Sequence, residues 1–455
     1  MRKTFKLVTY TLAVALSISA CKNSSSNGKT SATLLTHVTL IDGNGGIPLE
    51  NTMILIQGDT ISAIGNNLDS SDAKVIDLKG KTIMPTLISS HVHIGALKGT
   101  ETKPEFYTRE NILRQLNQYM SYGVGNVMIM GTDRPMLFES GLRDSSAKGE
   151  ITGARIHSAG YGFGVAEGAP PVAFAMDRVF RPTQPNQVAA EFDSLVKVKP
   201  EMVKMWVDDF LGTFKKMDAD VYKAIIDEAH KRSLRVAAHV YYLADARQLV
   251  ADGIDVFGHS IRDQVIDDAL INEMKKKNVV YIPTLSLDEY AYIYAEKPEW
   301  LNDPFFKASL EPGVYEMITS EKYQQDLKNS PKYAKNVKAF NTALINLKKL
   351  FDAGILVAMG TDSGAMAIRA QGFSEHLELE LLVQAGLTPL QAITVGTKNA
   401  AKALEIDDQF GTIEKGKIAD LLIVDQNPAE NIKNTRKIFA VYKAGKEVSK
   451  GPLKN

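Results

Sequence analysis

Six side chains of this sequence stand out by type and position: His91, His93, Lys204, His239, His259 and Asp362. His91 and His93 close an apolar run as His-x-His, and the alternation of a strand turns both imidazoles to one face. His239 lies near the end of the run LRVAAHVY, His259 near the end of IDVFGHS, and Asp362 in the turn Gly360-Thr361-Asp362-Ser363-Gly364. Imidazole and carboxylate ligate zinc and its first-row neighbours, so the pattern points to metal-centred chemistry. A lone His-x-His carries little weight. Four of the eight histidines at strand ends, joined by one acid, carry much more, because histidines serving a core would be scattered. The single cysteine excludes a disulfide framework and a cysteine-based zinc knuckle, which leaves His, Asp, Glu and Lys for the chemistry.

These residues meet only if the fold brings strand ends together. Residues 83–404 alternate apolar runs with amphipathic helical stretches, a pattern of parallel α/β architecture. Eight runs can be counted: TIMPTLISSHVH, GNVMIMG, ARIHSAG, MVKMWVDD, LRVAAHVY, IDVFGHS, VVYIPTLSL and ILVAMGTDSG. Helices are expected in DADVYKAIIDEAHKRS and DDALINEMKKKN, among others. Eight strands with intervening helices is the count of a TIM (β/α)8 barrel, whose strand ends converge on one mouth. Residues 34–82 and 405–450 read instead as short alternating strands broken at Asp-Gly, Gly-Asp and Lys-Gly, which predicts one small β domain built from both chain ends. The connection 288–341, rich in tyrosine, tryptophan and phenylalanine, is either a cap over the mouth or a helical insertion packing its aromatics into its own core.

Charge and termini bound the partners. The chain has 53 Lys+Arg against 53 Asp+Glu, which gives no basic surplus for nucleic acid. Residues 1–20 begin with Arg2, Lys3 and Lys6 and continue as a short apolar stretch, too short to span a bilayer and ordered like a secretory signal. The stretch ends Ile18-Ser19-Ala20-Cys21, which resembles a bacterial lipobox, so Cys21 is the expected lipidation site and 21–33 a flexible tether. The expectation is an exported protein of the periplasm or cell envelope, anchored to a membrane by its N-terminal lipid, with a homo-oligomer left open.

With these residues in view, the chain resembles the amidohydrolase superfamily over nearly all of 33–450. MPTLISSHVHI is similar to the family's first-strand motif, VAAHVYYLADARQLVADGIDVFGHS to its two single-histidine strands, and AMGTDSG to its aspartate motif. The resemblance is to the imidazolonepropionase-like and prolidase-like binuclear branch. It implies a distorted TIM barrel beside a small β-sandwich, with His91, His93, His239, His259 and Asp362 as metal ligands. It also places Lys204 as the lysine that reacts with carbon dioxide to form a bridging carbamate, since a protonated ammonium has no lone pair to offer a cation. The implied cofactors are two divalent ions, zinc first, with manganese, cobalt or iron as alternatives. The implied reaction is hydrolysis of an amide or cyclic amide C–N bond in a small-molecule substrate such as a dipeptide. A metal-bridging hydroxide attacks the polarised carbonyl, with Asp362 as general acid and base.

Two alternatives stand beside that reading: a single-metal, deaminase-like or ring-opening hydrolase with Lys204 merely structural, and a lipid-anchored binding protein with a decayed site. Thr86 and Ser89 replace the family's usual glycine and aspartate, which keeps the second alternative in play. Tyr241, Tyr242 and His376 are candidates to touch substrate, and Arg178 or Arg181 to hold a substrate carboxylate. His37, His157 and His230 are expected to be structural or on the surface.

Overall fold

The computed structural model describes residues 32–454. The signal-like leader and Cys21 therefore lie outside the described residues. The first strand, Ala32–Leu40, already begins two residues inside the stretch expected to be tether. Among the described residues no helix is long and apolar enough to cross a membrane.

Both chain ends build one mixed eight-stranded sheet. Its N-terminal strands are Ala32–Leu40, Leu49–Gln57, Thr60–Gly65, Ala73–Asp77 and Thr82–Pro85, and its C-terminal strands are Leu421–Val424, Ile438–Lys443 and Lys446–Ser449. Thr82–Pro85 joins the two groups, parallel to the first strand and antiparallel to Leu421–Val424. Leu35, Ile54 and Ile61 from one end share an apolar core with Ile423, Ala440 and Tyr442 from the other. The sheet also curls until its hairpins meet. Gly445 sits at φ +75°, and a Cβ there would lie 2.6 Å from the Gly58 carbonyl oxygen. Gly445→Ala is therefore expected to cost about 1–3 kcal/mol of stability, measurable as a lower urea midpoint with an unchanged slope.

The expected first barrel run proves to be two strands. Pro85, with no N–H to give, ends the piece that belongs to the mixed sheet, and Leu87–Val92 starts a separate parallel sheet. That sheet pairs Leu87–Val92 with Val124–Ile129 and then with Arg155–Ser158. A second parallel sheet orders Val203–Trp206, Val236–His239, Val256–Gly258 and Val280–Ile282. A parallel bridge between Phe163 and Met205 links the two sheets. The eighth run, ILVAMGTDSG, is not a regular strand. It touches the seventh run at Tyr281–Val357 and the first at Val92–Ser363, so it lies between the open edges of both sheets. Together these form a TIM-barrel-like α/β fold. Strand residues are buried on both faces, as parallel sheets require.

The helices follow from amphipathic spacing. Ala219–Lys231 buries Val221, Tyr222, Ile225, Ile226 and Ala229, and carries His230 and Lys231 in its last turn, where the helix dipole favours cations. Asp267 caps Asp268–Lys276 by accepting from the Leu270 N–H at 3.0 Å. In the insertion, the rings of Tyr290, Tyr294, Trp300 and Phe306 pack on one another and on Phe373, so the aromatics form their own core. The insertion also contributes Asp288, Ala291, Asn336 and Ala339 to the cavity described next.

Candidate metal centre

His91 rides on the first barrel strand and His93 follows directly after it. The aspartate turn is laced to that strand by backbone bonds. The N–H groups of Thr361 and Asp362 both donate to the His91 carbonyl, and His93 N–H donates to the Ser363 carbonyl at 2.9 Å. Asp362 itself adopts φ +57°, a left-handed conformation that aspartate tolerates better than most residues. This backbone sets Asp362 Oδ1 at 2.9 Å from His93 Nε2 and 3.3 Å from His91 Nε2. One ligand atom from each of the three buried residues lies within 4.8 Å of the others.

The second pair of histidines stands beside them. The His239 and His259 rings are 4.2 Å apart, and His259 is 4.5 Å from His91, centroid to centroid. Hydroxyls orient the rings from behind: His93 Nδ1 meets Thr132 Oγ1 at 2.6 Å, and His259 Nδ1 meets Thr284 Oγ1 at 2.8 Å. Lys204 comes up between them. Its ammonium is fully buried, and a Cβ on Gly258 would lie 3.1 Å from Lys204 Nζ and 3.3 Å from His91 Nδ1. Glycine at 258 leaves the most room for both.

Electrostatics match this placement. Burial lowers the Lys204 ammonium to about 7, against the pull of Asp362 and Asp208. Burial also pushes His91, His239 and His259 down, so these imidazoles are neutral and have a lone pair. For Asp362 burial pushes up, but Arg369 and the two histidines outweigh it and hold the carboxylate well below its usual range. Lys204 Nζ, His91 Nδ1 and His239 Nδ1 are buried with no hydrogen-bond partner among the described residues. Such atoms cost about 1–3 kcal/mol each when left unsatisfied, and three in one place are of the kind that divalent cations and a carbamate satisfy. The donor set thus fits the metals that the sequence implies. Lys204 does not form the ion pair with Asp208 or Asp209 that a structural lysine would make; Asp208 instead faces His239 Nε2 at 3.3 Å.

The centre opens into a cavity of about 280 Å³ lined by His93, His239, His259 and Asp362. Tyr241 lines it too, its ring under the Arg262 guanidinium. Tyr242 turns away, its hydroxyl donating to Asp209 at 2.8 Å and its ring under the Lys216 ammonium. His376 is a core residue, its ring nitrogens paired with Thr435 Oγ1 and the Tyr122 carbonyl, and burial lowers it to about 3. Neither touches the cavity. Arg178 is exposed beside Asp177, and Arg181 spends its guanidinium on backbone carbonyls, so neither is placed as a carboxylate clamp. His157 pairs with Glu201, His37 with Asp77 and His230 with Asp255.

Several cavity and supporting groups escaped sequence reasoning. Arg369 pairs with Asp362, Arg262 forms a buried pair with Asp288 at 2.8 Å, and Glu375 sits fully buried beneath the aspartate turn. Each reaches the centre from a different loop or helix, so no local motif announces it. Spacing offers a hint only for Arg369, seven residues past Asp362.

Residues 82–448 match the sequence model of the amidohydrolase family. An ochratoxinase from Aspergillus niger is 25% identical over 91% of this chain and 85% of its own length. An imidazolonepropionase from Shouchella clausii is 21% identical over 89% of this chain and 86% of its own. A solved Xaa-Pro dipeptidase superposes with a TM-score of 0.72 at 24% identity, covering 92% of this chain and all of that one. The matched residues 82–448 include His91, His93, Lys204, His239, His259 and Asp362. The chain belongs to the amidohydrolase family, whose members are metal-dependent, and is a hydrolase acting on carbon–nitrogen bonds.

Proposed function

We propose that the protein is a binuclear amidase of small molecules, cleaving an amide, cyclic amide or dipeptide bond at a barrel mouth. The observation that carries the reading is Lys204 Nζ, buried with no hydrogen-bond partner beside the ring of His91 and close to His239 and His259. His91, His93 and Asp362 would hold one ion and His239 and His259 the other, with carboxylated Lys204 between them. Two bound ions, zinc by preference, would supply hydroxide near neutral pH and polarise the carbonyl. The chain's own part is proton handling and placement. Asp362 is held ionised, so Oδ1 can take the proton of the attacking water and pass it to the departing amine. Thr132 and Thr284 keep the histidine rings aimed, and the cavity walls restrict water.

A single-metal reading also has an observation behind it: among the described residues, only His91, His93 and Asp362 bring ligand atoms within 4.8 Å of one another. Metal content per chain separates the two. Protein loaded with zinc or manganese in bicarbonate is expected to hold two ions, and Lys204→Ala one or fewer. One ion in both proteins would overturn the binuclear reading. Because the amine is neutral only above about 7, bicarbonate-stimulated loading is expected to rise as pH is raised through that value. Export, lipidation at Cys21 and membrane anchoring remain proposals supported by residues 1–21 alone, tested by labelling with a lipid precursor and by Cys21→Ala.

A further inference from the structure

The cavity has two unlike sides. One is the metal centre with its charged neighbours. The other is apolar, made by Pro170, Pro171, Phe174, Met176, Trp206 and Phe210. Four of those six come from one loop, which runs out from Phe163 and returns at Phe180, where the two residues form a parallel bridge. The loop is built rather than loosely draped. Val165 N–H donates to the Ala169 carbonyl at 2.7 Å, and Gly164 N–H to the Phe180 carbonyl at 2.7 Å. A Cβ on Gly164 would lie 2.7 Å from the Ala169 carbonyl oxygen, and one on Gly168 would lie 2.7 Å from the Val165 side chain.

Arg181 closes this loop. Its Nη1 donates to the carbonyls of Val165 and Gly168, and its Nη2 to those of Pro170 at 2.6 Å and Met176 at 3.3 Å. One planar fork thus ties the outgoing arm to the returning arm, which a lysine ammonium on a flexible stem does not reproduce. Arg134 adds a second tie through Asp177 and the Ala175 carbonyl. Phe174 and Val172 are exposed on this loop, Phe174 where it borders the cavity.

We infer that this loop is the specificity wall of the cavity, that it receives a bulky apolar or aromatic group of an amide substrate, and that Arg181 is the residue that positions it. The inference rests on the amide-hydrolysis reading for the position of the scissile bond, but the wall's preference is open to binding measurements alone. A phenyl group seated against such a wall is worth on the order of tenfold or more in affinity or kcat/KM over a methyl or hydrogen.

The test uses metal-loaded full chain and three small amides: N-acetylglycine, N-benzoylglycine and N-acetylphenylalanine. Trp206 lines the cavity, so its fluorescence reports occupancy whether or not hydrolysis occurs, and Trp206→Phe supplies the control. At least one aromatic amide is expected to bind, and to be hydrolysed, on the order of tenfold better than N-acetylglycine. Arg181→Ala and Arg181→Lys are expected to remove most of that difference, lowering the aromatic amides far more than N-acetylglycine, while keeping the parent's metal content. Equal binding of all three amides would overturn the inference even if all are hydrolysed. Aromatic binding without hydrolysis of any amide would uphold the wall and count against the amidase reading. An equal loss on all three substrates in the Arg181 variants would reduce Arg181 to a general structural role and overturn its assignment.

Discussion

Asp362→Asn is expected to lower kcat/KM on any amide substrate by about a thousandfold or more, with the fold retained. Asp362 serves three neighbours at once. Its Oδ1 faces His91 and His93, its Oδ2 takes the Arg369 guanidinium, and its backbone N–H anchors the turn to the first strand. Asparagine keeps the size and the backbone bond but removes the charge. The amide can neither accept the proton of an attacking water nor balance Arg369, and it is a poor ligand beside two imidazoles. Steady-state kinetics with metal analysis and circular dichroism on the same preparation measure all three consequences. A loss under tenfold with full metal content would show that the proton travels by another group.

Glu375→Ala is expected to destabilise the protein by about 3–5 kcal/mol and to loosen the metal centre without touching it. Glu375 is fully buried. Its Oε1 accepts from Ser89 at 3.0 Å, Thr361 at 2.6 Å and Ser363 at 2.9 Å, and its Oε2 accepts from the Gly372 N–H at 2.9 Å. Tyr119 extends the network through Ser363 at 2.6 Å. Alanine would remove the shared acceptor of three hydroxyls and one N–H on both flanks of Asp362, leaving Ser89 Oγ and the Gly372 N–H buried without it, while Thr361 and Ser363 keep each other. Burial pushes the Glu375 carboxyl upward, against the bonds from Thr361, Ser363 and Ser89. Glu375→Gln keeps the shape and most of the bonds, so its cost should be well below that of alanine. Urea unfolding and a competitive metal-binding assay check both parts. Unchanged metal affinity in the alanine variant would mean that the turn is held by its backbone bonds alone.

The same network accounts for the departure at Ser89. Where the family's first motif carries an aspartate, this chain has a hydroxyl, and the carboxylate beneath the strand comes from a helix 286 residues later. A decayed site would leave Ser89 facing an unfilled space. Here the serine is buried and bonded to Glu375.

What was legible in the sequence follows from local periodicity. His91 and His93 two residues apart on a strand, His239 and His259 on short strand ends, and Asp362 within a Gly-bounded turn each announce themselves within ten residues. Period-two and helical patterns likewise marked the terminal sheet strands and helices such as 219–231 and 268–276. Boundaries were less legible. Pro85 splits one apolar run between two sheets, and the aspartate run has single bridges in place of regular strand pairing, with Asp362 left-handed within it. Tyr242 follows Tyr241 directly and shares its chemistry, yet one faces the cavity and the other Asp209 and Lys216.

By itself, then, the sequence singled out the candidate ligands and the strand ends that present them, because ligand type and strand alternation are properties of a few neighbouring residues. Only the tertiary structure decided that the Lys204 ammonium lacks a hydrogen-bond partner, that Arg369 pairs with Asp362, that Glu375 accepts from Ser89 beneath the first strand and that Arg181 ties a loop. Those facts join side chains from separate elements, and whether two such groups meet depends on how whole strands and helices pack, which no short stretch of sequence encodes.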